Sequence, residues 1–327
     1  MLRWAILGTG FISNTVAEAI AQSEGSELAA VAGRSTARAE AFAVNHGIAK
    51  VFGDYDAVLA DPNIDVVYIG LPNHAHLPMV AAAASAGKAI LSEKSLTVTH
   101  GDAVDLIDRV RSAGVFFVEG LMYLSHPIYS ALGEVLADGR LGTVRSVNGI
   151  YAADIKDVVN PAGGGTLYNL GCYPASLLHF VMQSSFGEDA FSARRVTATG
   201  NLNSERNICD TAISVRFENG TLATLQSTDS YGMHHSFEIV GELGSLRFAT
   251  NPWLPVGGEN VLEVREHKKP VERVVVSDGL DAFAHQVRMV ERCLASGELE
   301  APRPSPRWKD SLEIMAFLNE WEAAARG

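Results

Sequence analysis

The stretch from Arg3 to Ser13 constrains the fold most, because a short apolar run ends there in Gly8-Thr9-Gly10 and leads into a helical pattern over 14–22. Gly8 suits a tight turn, and Gly10 lets a pyrophosphate approach the backbone at a helix N-terminus. Ser13 stands where this fingerprint usually has Gly or Ala, yet its side chain is still small. A strand before the glycines and a helix after them are the context that a dinucleotide-binding motif requires.

Length, charge and cysteine content set the class of protein. With 327 residues, the chain is long enough for two domains that each bury a core. Its net charge of −12, without an offsetting basic stretch, argues against nucleic acid or an anionic membrane as partner. Three scattered cysteines do not make a disulfide framework, which predicts a reducing, cytoplasmic location. The chain begins with a strand pattern and lacks an apolar run of about 18 residues, so neither a signal peptide nor a membrane span is expected.

The first third of the chain alternates between strand and helix patterns. Apolar strands are predicted over 27–32, 65–69, 88–91 and 115–119, with helices over 37–46, 78–86 and 101–113. This alternation predicts an α/β domain over residues 1–120, a Rossmann-type parallel sheet with helices on both faces and ligands at the carboxyl ends of its strands.

The end of the second predicted strand bears on the choice of cofactor. An NAD site usually has an acid about 20 residues after the last small residue of the fingerprint; counted from Ser13, that position is Gly33 in this chain. Arg34, Ser35 and Arg38 follow, and they suit a 2′-phosphate better than a bare hydroxyl. NADP is therefore the predicted cofactor, with NAD as the alternative; in a third interpretation, Arg34 is only a solvated loop residue.

The pair His74 and His76 invites a metal interpretation. Zinc needs three or four ligands, and no cysteine or carboxylate cluster accompanies the two histidines in the sequence. No metal site is predicted.

The pattern changes over residues 121–327, for which an α+β domain is predicted. Long alternating β-branched stretches favour a mostly antiparallel sheet; they cover 144–152, 195–202, 210–218, 222–230, 235–240, 245–248, 261–265 and 273–276. Helices are predicted over 127–138, 281–296 and 308–326, with a stiff proline-rich linker over 301–306. The closing helix 308–326 is a candidate to pack back on the first domain.

Four blocks of the sequence carry a family resemblance: Gly8-Thr9-Gly10, the stretch 71–78, Glu93-Lys94, and the stretch 119–123. Together, and over essentially the full length, they resemble the Gfo/Idh/MocA oxidoreductases, which include glucose–fructose oxidoreductase, inositol dehydrogenases, dihydrodiol dehydrogenases and sugar ketoreductases. Ser95 replaces the proline that usually follows the Glu-Lys pair, and Leu124 replaces a frequent arginine.

The resemblance implies an open-faced sheet in the second domain. The uncovered face of such a sheet is a physical reason to expect self-association, as a homodimer or homotetramer.

The resemblance also assigns site residues. A segment over 163–174 carries Asn169 at the family's Asp position and Tyr173 at its His or Tyr position, four residues apart on one helix face. Substrate contacts are expected from Lys94, Tyr123, Asn169, Tyr173 and His235. Cofactor contacts are expected from Gly8, Gly10, Phe11, Ile12, Arg34, Ser35, Arg38, Leu71, Asn73, His76, Glu93 and Lys94.

The implied chemistry is hydride transfer between NADP and the hydroxyl or ketone carbon of a sugar, polyol or related cyclic alcohol. The oxygen on that carbon must lose or gain a proton. A tyrosine with a pKa near ~10 suits this task poorly alone, and a neighbouring ammonium would lower that pKa. Lys94 and Tyr173 are therefore the predicted catalytic pair, one from each domain.

Two alternatives stay open on the sequence. A non-catalytic NADP-binding sensor would use the same first domain to regulate a partner, without needing both Lys94 and Tyr173. The same enzyme class could instead act on trans-dihydrodiols, inositols or nucleotide-linked keto sugars, because the second-domain side chains that shape the pocket cannot be placed from sequence.

Overall fold

The computed structural model describes residues 1–327 and divides the chain into two compact units. The first unit comprises Met1–Ser125 and Phe283–Ser311, and the second comprises His126–Ala282 and Leu312–Gly327. The sequence-based boundary after residue 120 stays a prediction of domain organisation. None of the helices combines the length and the apolar character that crossing a bilayer would need.

The first unit contains a six-stranded, fully parallel sheet, which confirms the predicted Rossmann-type architecture. Its strand order is β3-β2-β1-β4-β5-β6. The strands are β1 Leu2–Leu7, β2 Ser26–Ala32, β3 Lys50–Phe52, β4 Val66–Ile69, β5 Ala89–Glu93 and β6 Phe117–Gly120. All four residues of β4 are buried, as expected where helices cover both faces of a parallel sheet.

Five helices connect these strands: α1 Phe11–Ala21, α2 Thr36–His46, α3 Tyr55–Leu59, α4 His76–Ser85 and α5 His100–Ala113. Side-chain oxygens of Ser35, Asp54 and Thr99 cap the amino ends of α2, α3 and α5. The strand β3 and helix α3 were not predicted, because three and five residues are too few for a periodic pattern.

The chain later returns to the first unit. Helix α8 (Ala282–Ala295) contributes Val287, Val290 and Cys293 to the same apolar core as Val16 and Ile20 of α1. Helix α9 (Trp308–Arg326) begins in the first unit and continues into the second. These contacts complete the core on one side of the parallel sheet.

The second unit contains an eight-stranded sheet in the order β14-β13-β12-β11-β7-β10-β9-β8. Its strands are β7 Val144–Ala153, β8 Arg194–Leu202, β9 Ile208–Phe217, β10 Leu222–Thr228, β11 Met233–Gly241, β12 Gly244–Phe248, β13 Asn260–Glu266 and β14 Glu272–Val276. Only β7 and β10 pair in parallel, so the predicted mostly antiparallel sheet is confirmed. Two helices, α6 Pro127–Ala137 and α7 Cys172–Phe186, belong to the same unit.

The two faces of this second sheet differ sharply in composition. Residues that pair across the strands lie on one face. One paired row is buried and apolar: Val215, Ala223, Val147, Ile239, Leu246 and Val264. The next row is exposed and polar: Thr197, Ser214, Thr224, Asn148, Glu238 and Arg247. The predicted open face therefore exists, and it is polar.

Candidate functional site

The glycine-rich turn after β1 is shaped by close backbone contact. Gly8 has a φ of +101°, and a Cβ placed on it would lie 2.6 Å from the carbonyl oxygen of Gly70. The Gly8 amide donates to the Ala32 carbonyl over 2.9 Å, so this turn bridges the ends of three strands. Gly8 is required here for both its backbone conformation and the lack of a side chain.

The amino end of α1 offers unblocked backbone N–H groups. Gly10 occupies the N-cap position without a side-chain cap, and the first turn carries no acidic residue. A Cβ on Gly10 would meet nothing within 4 Å, and Phe11 is 89% exposed. The helix end is therefore open to an anion, which the helix dipole would stabilise.

Ser13 replaces the usual third small residue without opening the packing. Its side chain is fully buried, and a Cβ placed on Gly70 would lie only 2.4 Å from its Oγ. The serine is accommodated because residue 70 has no side chain. Its hydroxyl makes no hydrogen bond.

The carboxyl end of β2 carries exposed cations and lacks a carboxylate over 33–38. Arg34, Ser35 and Arg38 are exposed, and the Ser35 hydroxyl accepts from the Arg38 amide over 3.4 Å to cap α2. Burial raises the pKa of the Tyr55 hydroxyl, while Arg34 opposes that shift through its charge and its backbone N–H. The residues present fit a phosphate on the ribose better than a bare diol.

The loop after β4 is fastened to the loop after β5 by His76. Its imidazole is fully buried, with Nε2 2.8 Å from the Leu71 carbonyl oxygen and Nδ1 3.0 Å from the Ser95 carbonyl oxygen. Burial lowers the pKa of His76. His74 is exposed, whereas Asn73 is buried. The structure thus places His76 as a support of both loops, and its expected cofactor contact stays a prediction.

Lys94 follows the carboxyl end of β5, and its charge acts on two buried carboxyl groups. The Glu93 carboxylate accepts from the Tyr68 hydroxyl over 2.9 Å. The Glu119 carboxylate accepts from the Leu96 amide over 2.8 Å. Burial raises the pKa of Glu93, and it raises the pKa of Glu119 to about 7. Lys94 is partly exposed, and its positive charge favours the ionised form of the Glu93 and Glu119 carboxyl groups.

The Ser311 hydroxyl also donates to Glu119, over 2.6 Å, so this carboxyl group joins the start of α9 to the loop that carries Lys94. The peptide bond between Lys94 and Ser95 is cis. In the sequence, Glu119 belongs to the motif over 119–123, but no local pattern indicates its role as a buried anchor. Tyr123 follows in a short 3₁₀ turn, Met122–Ser125, and is fully buried.

In the second unit, Tyr173 lies among aromatic rings. A π-helical turn, Leu167–Gly171, leads directly into α7, and Tyr173 in its first turn is 6% exposed. Its ring centroid lies 5.2 Å from that of Tyr151, edge to face, and 6.2 Å from that of Trp253. Burial raises the pKa of Tyr151 to about 12. Tyr151 and Trp253 were missed, because their contact with Tyr173 depends on packing across the sheet.

His235 shares this end of the sheet. It pairs with Tyr151 in the β11–β7 register, so both side chains lie on the covered face. Burial lowers the pKa of His235, and the neighbouring His234 adds to that effect. The structure therefore brings His235 to the aromatic cluster around Tyr173, and its contact with substrate stays a prediction.

Asn169 precedes Tyr173 and bonds to a residue that the sequence did not indicate. Its Nδ2 donates to Oδ2 of Asp229 over 3.3 Å. Asp229 follows β10, is 3% exposed, and has a pKa raised by burial. A carboxylate is thus present beside the amide at position 169.

The sequence matches two family models. Residues 2–121 match the one described as "Oxidoreductase family, NAD-binding Rossmann fold", and residues 129–247 match the "GFO/IDH/MocA C-terminal domain". An uncharacterised oxidoreductase of Rhizobium meliloti is 33% identical over 334 residues, covering 99% of this chain and 97% of the relative. The trans-1,2-dihydrobenzene-1,2-diol dehydrogenase of Sus scrofa is 28% identical over 315 residues, covering 92% and 90%.

Two solved structures share the fold. A 3-ketoreductase from Actinomadura kijaniata, in complex with NADP and TDP-benzene, superposes with a TM-score of 0.85 at 23% identity, covering 99% of this chain and 97% of that one. A levoglucosan dehydrogenase in complex with NADH and levoglucosan gives a TM-score of 0.82 at 20% identity, covering 99% and 97%. The prediction of a nicotinamide dinucleotide domain is confirmed by the first family model.

Proposed function

The chain belongs to the Gfo/Idh/MocA oxidoreductase family, and from that premise we propose that it is an NADP-dependent dehydrogenase or ketoreductase of sugars, polyols or related cyclic alcohols. We assign cofactor binding to residues 1–120 and substrate binding to residues 121–327. The observation that carries the proposal is Lys94 at the carboxyl edge of the parallel sheet, where ligands of such sheets bind.

The preference for NADP is supported by the residues that follow β2. Arg34 and Arg38 are exposed, and no carboxylate stands where an NAD site would bind the ribose 2′-hydroxyl. The structural neighbours do not decide the matter, because one was solved with NADP and the other with NADH. The proposal therefore rests on this chain's own cations.

Lys94 and Tyr173 are proposed as the acid–base pair. A bound nicotinamide supplies the hydride chemistry. In oxidation the oxygen on the alcohol carbon gives up a proton to the phenolate form of Tyr173, and in reduction the Tyr173 hydroxyl donates that proton back. The Lys94 ammonium stabilises negative charge on that oxygen and on the phenolate. Burial of Glu93 and Glu119, which disfavours their ionisation, leaves more of the Lys94 charge available for this purpose.

The substrate class is supported by the names of the relatives. A dihydrodiol dehydrogenase, a 3-ketoreductase and a levoglucosan dehydrogenase all act on a carbon that bears oxygen. A cyclic compound with a secondary alcohol or ketone is the chemistry they share, and we extend that class to this chain.

A substrate panel tests the proposal. NADPH formation is measured with aldoses, inositols, trans-dihydrodiols and other cyclic alcohols, and NADPH consumption with nucleotide-linked keto sugars. We expect turnover of at least one compound, with NADP preferred over NAD. Binding of NADP without turnover of any compound would overturn the dehydrogenase proposal and favour a cofactor-binding sensor.

A further inference from the structure

The side chain of Asn14 is hydrogen-bonded at both of its ends. Its Nδ2 donates to the carbonyl oxygen of Gly10 over 3.1 Å and to that of Phe11 over 3.4 Å. Its Oδ1 lies 2.9 Å from Nε2 of His46. Asn14 therefore connects the open amino end of α1 to the last turn of α2.

The chemistry of the partners decides which atom of each pair donates. A backbone carbonyl can only accept, so Nδ2 of Asn14 faces Gly10 and Oδ1 faces His46. An amide oxygen also only accepts, so Nε2 of His46 is the donor. Because both the neutral Nε2–H tautomer and the imidazolium can donate from this atom, the bond does not depend on the charge of the ring.

His46 is itself supported by its own helix. The centroid of its ring lies 4.4 Å from that of Phe42, one turn earlier in α2. Phe42 is 4% exposed and belongs to the same apolar core as Val16 and Ile20 of α1. The imidazole therefore presents Nε2 to Asn14 from a packed position.

The bond from Asn14 acts on one particular peptide unit. The carbonyl of Gly10 and the N–H of Phe11 belong to the same planar trans peptide, so they point in opposite directions. The carbonyl of an N-cap residue already accepts the first bond within the helix, and Nδ2 of Asn14 adds a second. Two donors on this carbonyl fix the direction of the Phe11 N–H, which has no partner within the helix.

The residue type at position 14 points the same way. Asn14 lies inside α1, where asparagine is a poorer helix former than alanine. Helix propensity therefore does not account for this asparagine, whereas its two hydrogen bonds do.

We propose that Asn14 and His46 are positioning residues of the cofactor site, which hold the peptide before Phe11 so that its N–H donates to the pyrophosphate of the dinucleotide. This inference rests on the proposed function, in which the amino end of α1 receives the cofactor.

The pair acts on NADP and NAD alike, because both contain the pyrophosphate. Arg34 and Arg38, proposed for the 2′-phosphate, lie at the other end of α2. That helix has 11 residues and is therefore about 16 Å long. The preference for NADP is accordingly independent of His46.

The test measures the dissociation constants of NADP, NAD and 2′-AMP by calorimetric titration. The last compound carries the adenosine and the 2′-phosphate but no pyrophosphate. Asn14→Ala and His46→Ala should each raise the constants for NADP and NAD by the same factor, about 3- to 10-fold, the net contribution of one hydrogen bond. The constant for 2′-AMP should stay unchanged. The double variant should lose no more than the worse single one, because both residues act through the same contact.

Two further variants keep the result interpretable. His46→Gln retains a side-chain N–H that can reach Oδ1 of Asn14, and it should keep most of the wild-type affinity. Asn45→Ala is the matched control, since it removes an exposed asparagine from the same turn of α2 and should bind both cofactors as the wild type does. Asn14→Ala itself should fold, because alanine favours the helix.

Unchanged affinity for NADP and NAD in Asn14→Ala would overturn the inference and leave the proposed function standing. A loss confined to NADP, or an equal loss for 2′-AMP, would overturn it as well, because the change would then act on the 2′-phosphate site or on the whole unit. A wild-type protein that binds neither dinucleotide would refute the proposed function, and this inference with it.

Discussion

At the scale of single residues, the exposed cations after β2 carry the choice of cofactor. Arg34→Ala should weaken NADP binding by about 10- to 150-fold and NAD binding little, because a charge-assisted phosphate contact contributes about 1.5–3 kcal/mol. Calorimetric titration with NADP and with NAD measures the difference between the two dissociation constants. Arg109→Ala is the control, since Arg109 is exposed but pairs with Asp105 on α5. Equal dissociation constants for NADP and NAD in the wild type would contradict the NADP assignment.

The proposed catalytic pair, Lys94 and Tyr173, is tested at the same scale. Tyr173→Phe and Lys94→Ala should each reduce turnover about 10²- to 10⁴-fold, the usual size of a positioned proton transfer. The double variant should fall little further than the worse single one if, as proposed, the two groups act as a unit. Steady-state rates with the best panel substrate measure this, with Tyr231→Phe as control because Tyr231 is 48% exposed. Near-normal turnover in both single variants would show that the proton comes from elsewhere.

The sequence predicts arrangements of residues that lie close together in the chain, and it does not predict contacts between residues that lie far apart in it. The turn at Gly8 was predictable because strand, glycines and helix lie within a dozen positions. The bond between Asn169 and Asp229 joins residues 60 positions apart, so it follows from sheet register and helix placement and leaves no local pattern. The same holds for Tyr151 and Trp253, which meet Tyr173 only in the folded sheet.

At the scale of elements, the Glu119 carboxyl ties the loop after β5 to the start of α9. Its pKa is raised to about 7 in the folded protein, so the folded state holds a proton that the unfolded chain releases near its ordinary value of 4.5. The resulting stabilisation is full below about 4.5 and is lost as the pH rises through about 7.

Glu119→Gln should remove this pH dependence while keeping the hydrogen bonds to Leu96 and Ser311. Between pH 5 and pH 8, the free energy of unfolding of the wild type should fall relative to that of the variant by up to about 3 kcal/mol. Denaturant unfolding at both pH values measures it, and Glu24→Gln, at an exposed position between α1 and β2, should behave like wild type. Parallel curves for wild type and Glu119→Gln would refute the role of this group.

At the scale of the whole molecule, the homodimer or homotetramer stays a proposal. Because the open face of the second sheet is polar, it gives no hydrophobic reason for association, and two copies would have to pair there through hydrogen bonds and ion pairs. The exposed row runs without interruption from Thr197 to Arg247 across six strands. Thr224→Arg at its centre should shift the assembly toward monomer, whereas Ser112→Arg on the surface of α5 should not. Light scattering at micromolar concentration measures both, and a wild-type monomer would contradict the proposal.

The path of the chain between the two units decides which truncated variants keep a complete first core. The chain passes from one unit to the other three times, after residues 125, 282 and 311. A fragment that stops at residue 120 would lack α8 and leave Val16 and Ile20 short of their partners. Residues 126–282 therefore interrupt, in the sequence, the two segments that form the first unit. Excising residues 126–282 and rejoining 1–125 to 283–311 through a flexible linker would give a shorter chain that keeps every residue of this core.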